Sequence, residues 1–337
     1  MIKINHKAIS RKEYISVGFL FKNTREKFKL KLYSDETGFE KKIYEQNLHR
    51  PGLALAGFVD LFSHSRVQVF GNTEMRYLSQ LSEEKRNESL ERIFQFDIPC
   101  IILTDNNTPF PELIELGNKY KTTILGTPYP TTKTVYLIGD FLDDQFASRI
   151  SIHGSFVDVY GVGILFVGKS GIGKSEVALD LIERGQRLVA DDLIILTKKG
   201  EGILIGSGTN LVKHHMEIRG LGIIDVEKMF GIRAIRFQKR LEIIVELEVW
   251  DDKTEYTRTG LDEKSVTILG IDIPYVKLPI LPGKNITVIS EVISLNYLLK
   301  HYGYDSAKIF QEQLLNRMKN KVNDDYRGVD YFEHDFE

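Results

Sequence analysis

The chain has 337 residues, of which 42% are hydrophobic and 27% charged. This composition is typical of globular proteins and excludes a largely disordered chain. At roughly 150 residues per domain, the length predicts two domains. The formal net charge is −2, so the chain lacks the overall basic character of a general nucleic-acid binder, and we expect no nucleic-acid partner.

Cysteine content and the N-terminal sequence indicate the compartment. The single cysteine, Cys100, cannot form an internal disulfide, which favours a reducing environment. Residues 1–7 lack the apolar core of a signal peptide, and the longest apolar run, near 161–168, is too short to span a membrane. We therefore predict a soluble, cytoplasmic protein with no membrane partner.

The first 133 residues alternate between strand-like and helix-like segments. Strands are predicted at 66–71, where apolar residues recur with period two, and at 99–103 and 122–126; helical segments are predicted at 72–96 and 111–116. This alternation predicts a small N-terminal α/β domain with parallel strands. The domain carries no recognisable chemistry.

The second domain is predicted over 134–320, followed by an acidic tail at 321–337. It opens with a helix from Thr134 to about Arg149, and residues 150–159 predict a hairpin with Gly154 near its turn. The fully apolar run 163–167 predicts a strand buried on both faces. Two helices are predicted near the C-terminus, around 289–299 and 306–319.

The strongest motif directly follows that buried strand and fits the pattern GxxxxGK[ST]; its residues are Gly168, Lys169, Ser170, Gly171, Ile172, Gly173, Lys174 and Ser175. Glycines allow successive backbone N–H groups to curl around phosphate oxygens. Lys174 can reach the outer phosphates, and the Ser175 hydroxyl can ligate Mg²⁺. A helix with apolar periodicity follows, and Gly185 is placed to end it. The motif predicts a nucleotide-binding phosphate loop.

An acid pair follows one helix later. Residues 187–192 read as an apolar strand that ends in Asp191 and Asp192, which places a carboxylate beside the metal and the terminal phosphate. Such an acid can orient the metal or accept a hydroxyl proton. Because successive strand residues face opposite ways, only one of the two is expected to point at the chemistry. The alternative is a solvated acid pair at the end of a strand.

With these two motifs, the segment Met216–Asp225 (MEIRGLGIID) completes a set that resembles the HPr kinase/phosphorylase family. The three motifs occur in the family's order and at similar spacing. The resemblance is strong over about 150–302, and the part before it is compatible with the family's N-terminal domain. It implies an α/β fold, in which a small domain of unclear role precedes a phosphate-loop kinase domain of the phosphoenolpyruvate-carboxykinase-like type.

The resemblance also implies roles for individual residues. His153 corresponds to a histidine beside the transferred phosphate, Glu217 to a magnesium ligand, and Arg258 to an arginine essential for activity. Asp192 corresponds best to the family's proton acceptor for phosphorylation, and Asp191 is its close rival. Without the resemblance, a lone histidine at a strand end is more often structural, and Arg258 would pass as a surface arginine.

A carboxylate at position 217 suits a metal on chemical grounds as well, because Mg²⁺ binds one or two carboxylates together with phosphate oxygens and water. The neighbouring His214 and His215 suggest zinc at first sight. Adjacent histidines cannot easily share one face of a regular element, so the spacing disfavours a zinc site.

One loop departs from the family. Its phosphorolysis loop usually reads close to Pro-Val-x-Pro-Gly-Arg-Asn, often with a basic residue at x, whereas residues 279–285 read PILPGKN. Lys284 keeps a positive charge but lacks the planar fork with which arginine grips phosphate at two points, and Leu281 carries no charge. The sequence therefore supports the kinase reaction more strongly than its reversal.

The leading hypothesis is an enzyme that phosphorylates a serine of HPr, the phosphocarrier of the bacterial sugar phosphotransferase system. The resemblance implies Mg²⁺ and ATP or pyrophosphate as donor, reverse phosphorolysis that yields pyrophosphate, and a homohexamer. No HRD or DFG motif is present, which excludes a eukaryotic-type kinase. The alternatives are a phosphate-loop kinase of a small acid and an ATP-sensing interaction module, although a sensor would not need the acid pair.

Overall fold

The computed structural model describes residues 9–200, 202–209, 214–251, 264–281 and 283–320. These residues form two compact units, the N-terminal unit Ile9–Arg149 and the C-terminal unit from Ile150 onward. The division lies beyond the expected boundary at residue 133, because the helix Thr131–Phe146 contributes to the N-terminal core. The expected tail at 321–337 lies outside the described residues.

The N-terminal unit is an α/β layer with parallel strands, as predicted. Its strands are β1 (Ile9–Ser10), β2 (Ile15–Ser16), β3 (Lys31–Leu32), β4 (Lys42–Ile43), β5 (Leu48–His49), β6 (Val67–Phe70), β7 (Cys100–Leu103) and β8 (Thr123–Gly126). Its helices are α1 (Val17–Thr24), α2 (Gly52–Leu55), α3 (Asn72–Ser79), α4 (Glu83–Phe94), α5 (Pro111–Lys119) and α6 (Thr131–Phe146). The main sheet has the order β3-β8-β7-β6-β5, in which β5 to β8 are parallel and β3 is antiparallel.

Strand β6 differs from its predicted period-two pattern, because all four of its residues are buried. Core clusters lie on both faces of the sheet, one packed with α2 to α5 and the other with α1 and α6. The polar residue in the strand, Gln68, donates from its amide nitrogen to the carbonyl oxygens of Ser63 and Arg66. Its polarity therefore reflects an internal hydrogen-bonded group and not a solvated face.

The C-terminal unit is built on one large mixed sheet. Its strands are β9 (Arg149–Val159), β10 (Val162–Gly168), β11 (Arg187–Lys199), β12 (Ile203–Gly208), β13 (His215–Ile218), β14 (Gly222–Asp225), β15 (Gln238–Arg240), β16 (Ile243–Val249), β17 (Lys264–Ile268) and β18 (Ile271–Ile280). Its helices are α7 (Lys174–Glu183), α8 (Val226–Phe230), α9 (Ile286–His301) and α10 (Ser306–Asn320). The sheet runs β15-β12-β11-β9-β10-β16-β18-β17, and β10, β16 and β18 are parallel.

Two apolar cores cover the faces of this sheet. One core lies on the face covered by α7 and contains buried residues of α7, β10 and β16. The other lies on the opposite face and contains buried residues of β9, β11 and β18. The predicted buried strand at 163–167 and both C-terminal helices are confirmed. No helix within the described ranges is both long and apolar enough to cross a membrane.

The predicted turn at Gly154 is wrong. Strand β9 runs through it without interruption, and the hairpin turn to β10 lies at Tyr160 and Gly161, which both have positive φ (52° and 85°). Gly154 is needed for a different reason, because a Cβ there would lie 2.3 Å from the carbonyl oxygen of Phe166 in β10. A glycine within a strand pattern can mark such a close backbone approach as well as a turn.

Replacement of Gly154 by alanine therefore tests the packing of β9 on β10. We expect the free energy of unfolding of the C-terminal unit to fall by about 3 kcal/mol, because neither backbone can move without disturbing the sheet. Urea titration followed by tryptophan fluorescence measures this unit, since the single tryptophan, Trp250, lies in it. Gly202→Ala is the control, with nothing within 4 Å of its added Cβ. Equal stability of the two variants would contradict the packing argument.

Candidate active site

The candidate site lies at the carboxyl edge of the parallel strands. In the sheet register, Gly168 at the end of β10 pairs with Leu247 in β16, and Val249 at the end of β16 pairs with Ile280 in β18. Three segments therefore leave the sheet side by side. They are the phosphate-loop motif, the chain that leads from β16 into residues 252–263, and the loop that follows β18. Ligands of open α/β sheets bind at this kind of edge.

One predicted functional residue near this edge, Arg258, lies outside the described residues, within 252–263, and Pro282 in the sequence after β18 is outside them as well. The register still fixes where both segments begin, because β16 lies beside β10 and β18 beside β16. The role of Arg258 remains a prediction.

The phosphate-loop motif forms a glycine-dependent turn between β10 and α7. Gly168, Gly171 and Gly173 have φ values of 141°, 77° and 104°. The φ of Gly171 is one that residues with a Cβ rarely adopt, so glycine is favoured there, and the Arg219 guanidinium lies against the same position. The Lys174 ammonium donates to the carbonyl oxygen of Lys169 at 3.1 Å. The loop backbone and this ammonium thus form one cationic, donor-rich turn.

Helix α7 begins at Lys174, so its N-terminus and the positive end of its dipole adjoin the loop. Its other end confirms the predicted stop at Gly185. The Gly185 N–H donates to the Ile182 carbonyl, and the Gln186 N–H donates to the Leu181 carbonyl, both at 2.9 Å. This pair of bonds is a Schellman motif, which left-handed Gly185 permits (φ 92°).

Asp191 is the buried member of the acid pair, with 5% of its surface exposed. Its carboxylate accepts hydrogen bonds from the Ser175 hydroxyl at 2.9 Å and from the Ser155 hydroxyl at 2.5 Å. Burial raises the pKa of Asp191, and the two hydroxyl hydrogen bonds oppose that rise. Asp191 therefore joins β11 to the first turn of α7 and to β9.

Asp192, unlike Asp191, is open to solvent. The acids do not end the strand as predicted, because β11 continues to Lys199. Within the strand, Asp192 has an unusual φ of 67°. Its Oδ1 atom lies 3.4 Å from Nδ1 of His153, and the two side chains are 76% and 78% exposed. The functional role of His153 remains a prediction, now placed beside an exposed carboxylate.

The MEIRGLGIID segment forms the hairpin β13–β14, in which Glu217 pairs with Ile223. Strand β13 lies against both α7 and β11, so its exposed Glu217 is carried next to the elements that hold Ser175 and the acid pair. Arg219 follows this strand and donates to the Ser170 hydroxyl at 3.0 Å. The segment therefore contacts the phosphate loop directly.

Two residues of this site were missed in the sequence analysis. Arg219 lies inside a segment that we had singled out, but nothing in the sequence showed its contact with Ser170. Ser155 lies two residues after His153 in β9, and that spacing alone places both side chains on one side of the strand. That spacing was the only available signal for Ser155.

The donor set of the site fits a hard divalent cation. Within the described ranges, no group of three or more His, Cys, Asp and Glu side chains is arranged to hold a metal ion. Mg²⁺ does not require such a cage, because it binds one or two carboxylates and completes its shell with phosphate oxygens and water. The Ser175 hydroxyl, Asp191 and Glu217 supply oxygen donors of that kind.

The comparisons with known proteins agree with this arrangement. Residues 15–142 match the HPr Serine kinase N terminus, and residues 144–314 match the HPr Serine kinase C-terminal domain. The HPr kinase/phosphorylase of Chloroherpeton thalassium is 55% identical, over 97% of this chain and 98% of that protein. The HPr kinase/phosphorylase of Prosthecochloris aestuarii is 48% identical, over 97% of both.

A solved Hpr(Ser) kinase/phosphatase from Coxiella burnetii is 36% identical, over 48% of this chain and 98% of that chain, with a TM-score of 0.43. Both family domains are thus matched in order, and the full-length relatives cover nearly the whole chain. The chain belongs to the HPr kinase/phosphorylase family.

Proposed function

We propose that this chain transfers a phosphoryl group from ATP to a serine of HPr, and that it reverses the reaction with inorganic phosphate. The observation that carries the proposal is the bond between Asp191 and Ser175 at the end of the phosphate-loop motif, with the next residue, Asp192, beside His153. This occurs in a chain whose relatives, aligned over 97% of its length, are named HPr kinase/phosphorylase. The proposal includes cytoplasmic location and assembly into a homohexamer.

Donor binding rests on the loop and on α7. The backbone N–H groups of the loop and the N-terminus of α7 would hold the phosphates of ATP or pyrophosphate. Lys174, whose ammonium now bonds loop carbonyls, would move to the outer phosphate oxygens. Ser175 and Glu217 would hold Mg²⁺, with Asp191 fixing the Ser175 hydroxyl. Bound Mg²⁺ neutralises charge on the phosphate oxygens.

Asp192 is the residue to which we assign proton transfer. A serine carried by a protein substrate can reach an exposed carboxylate, and Asp192 is exposed next in sequence to Asp191, which bonds Ser175. Asp191 is buried and already accepts two hydroxyl hydrogen bonds, so it is placed to orient Ser175. In the forward direction Asp192 would accept the serine proton as the serine oxygen attacks the terminal phosphorus. His153 would hold the Asp192 side chain in place.

The reverse reaction uses the same groups in the opposite order. An oxygen of inorganic phosphate attacks the phosphorus of phosphoserine, the bond between phosphorus and the serine oxygen breaks, and pyrophosphate forms. Asp192 returns its proton to the departing serine oxygen. Lys284 in the loop after β18 would hold the attacking phosphate, and Arg258 would stabilise charge on the group in transfer.

Separate amide variants of the acid pair test these assignments. Asp192→Asn should still bind Mg-ATP but lose at least about 100-fold in HPr phosphorylation, because the proton acceptor is gone. Asp191→Asn should instead weaken Mg-ATP binding, because it disturbs Ser175. Calorimetric titration and a radiolabel transfer assay separate the two effects. The assignment would be reversed if Asp192→Asn were active. In that case Asp191→Asn would bind ATP normally but be inactive.

The departure at Lys284 predicts a gain of function. Lys284→Arg should raise phosphorolysis relative to phosphorylation by about fivefold, because arginine adds a second charge-assisted hydrogen bond to phosphate, worth about 1 kcal/mol net. Pyrophosphate release from phosphoserine-HPr and inorganic phosphate measures the reverse rate. Lys284→Gln is the control and should lower the same ratio. An unchanged ratio in both variants would remove Lys284 from the reaction.

A further inference from the structure

Helix α9 buries polar side chains in its contact with the C-terminal unit. Thr287, Ser290, Glu291 and Ser294 are almost completely buried. Apolar residues of the same helix, among them Val292, remain exposed. A surface helix normally does the reverse. Buried polar groups are costly unless they are bonded, so the partners of these side chains fix where α9 can lie.

Two of these contacts join α9 to α7. The Thr287 hydroxyl donates to Asp180 Oδ2 at 3.2 Å. One turn later in both helices, Arg184 Nε and Nη2 donate to Glu291 Oε2 at 3.0 and 2.7 Å. We call these four residues, Asp180, Arg184, Thr287 and Glu291, the α7–α9 latch. In both pairs the partners are 107 residues apart, so the two helices run parallel in a single register.

The parallel arrangement also relates the start of α9 to the active site. Helix α9 begins at Ile286, so Gly283 and Lys284 precede it on the side toward the N-terminal end of α7, which carries Ser175. The loop that contains Lys284 is joined rigidly to α9, because Asn285 caps the helix by accepting from the Val288 N–H at 3.0 Å. The position of α9 along α7 therefore sets the position of Lys284 relative to the phosphate loop.

Glu291 is the anchor of the latch. Besides Arg184, it accepts a hydrogen bond from the Tyr160 hydroxyl at 3.1 Å and one from Gln186 at 3.5 Å. Tyr160 forms the β9–β10 turn, and Arg184 and Gln186 directly follow α7, so one carboxylate joins α9 to two other segments. The hydrogen bonds from Arg184 keep the pKa of Glu291 below its usual range, so the carboxylate stays charged.

We propose that Thr287 and Glu291 are positioning residues for phosphorolysis: through the α7–α9 latch they hold the Lys284 loop at the distance from the phosphate loop that the attacking inorganic phosphate requires. This rests on the proposed function. Helix α7 itself is fixed by the buried residues Ala178, Leu181 and Ile182. Loss of the latch thus moves the Lys284 loop and leaves the phosphate loop in place, so the forward reaction is spared.

The experiment compares Thr287→Val with Thr287→Ser in both directions of the reaction. Valine keeps the shape of threonine but cannot donate to Asp180, whereas serine keeps the hydroxyl. We expect Thr287→Val to raise the KM for inorganic phosphate about tenfold, because small misplacements of reacting groups are costly. Its kcat/KM for phosphorylation of HPr by ATP should stay within about twofold of the parent. Thr287→Ser should match the parent in both assays.

Glu291→Gln provides a second variant that keeps the size of the side chain, and it should shift the same KM in the same direction. If Thr287→Val does not fold, Glu291→Gln is used to test the proposal instead. The fluorescence of Trp250 shows whether each variant is folded. Equal losses in both directions, an unchanged KM for phosphate, or a Thr287→Ser variant that behaves like Thr287→Val would overturn the proposal. A parent chain that makes no pyrophosphate would overturn the proposed phosphorolysis itself, and the role of the latch with it.

Discussion

The buried carboxylate of Asp191 is the contact on which the arrangement of the site depends. It accepts from Ser155 on β9 and from Ser175 on α7, and it is itself part of β11. A buried carboxylate without partners is expensive, so these three elements are held at one separation. The phosphate loop leads into α7 at Lys174, next to Ser175. The loop is therefore held in register with Asp192 and His153, which are exposed residues of the same two strands.

Sheet topology brings the remaining groups to this point. Because β10, β16 and β18 are parallel neighbours, whatever follows each strand emerges at one edge. The chain can thus collect groups from widely separated segments without long loops. Helix α9 adds a second constraint on the site. It follows β18 and is hydrogen-bonded to α7 through Thr287 and Glu291. Both reactions would use the same phosphate loop and acid, and only the reverse reaction would also depend on the position of α9.

Sequence patterns predicted the parts of this structure that depend on neighbours in the chain. The phosphate loop, the buried strand before it and the stop at Gly185 follow from local glycine chemistry and apolar periodicity. Long-range contacts were out of reach. Gly154 was assigned to a turn because the approach of Phe166 is invisible in the sequence. For the same reason Arg219 was overlooked, since its contact with Ser170 joins residues that are 49 positions apart.

The most direct test of the central claim is transfer of radiolabel from γ-labelled ATP to HPr in the presence of Mg²⁺. The assay compares wild-type HPr with HPr whose target serine is replaced by alanine. We predict label on the wild-type protein alone, and its release as pyrophosphate after inorganic phosphate is added. Label on neither protein, while ATP is still bound, would contradict the account and point to a different acceptor.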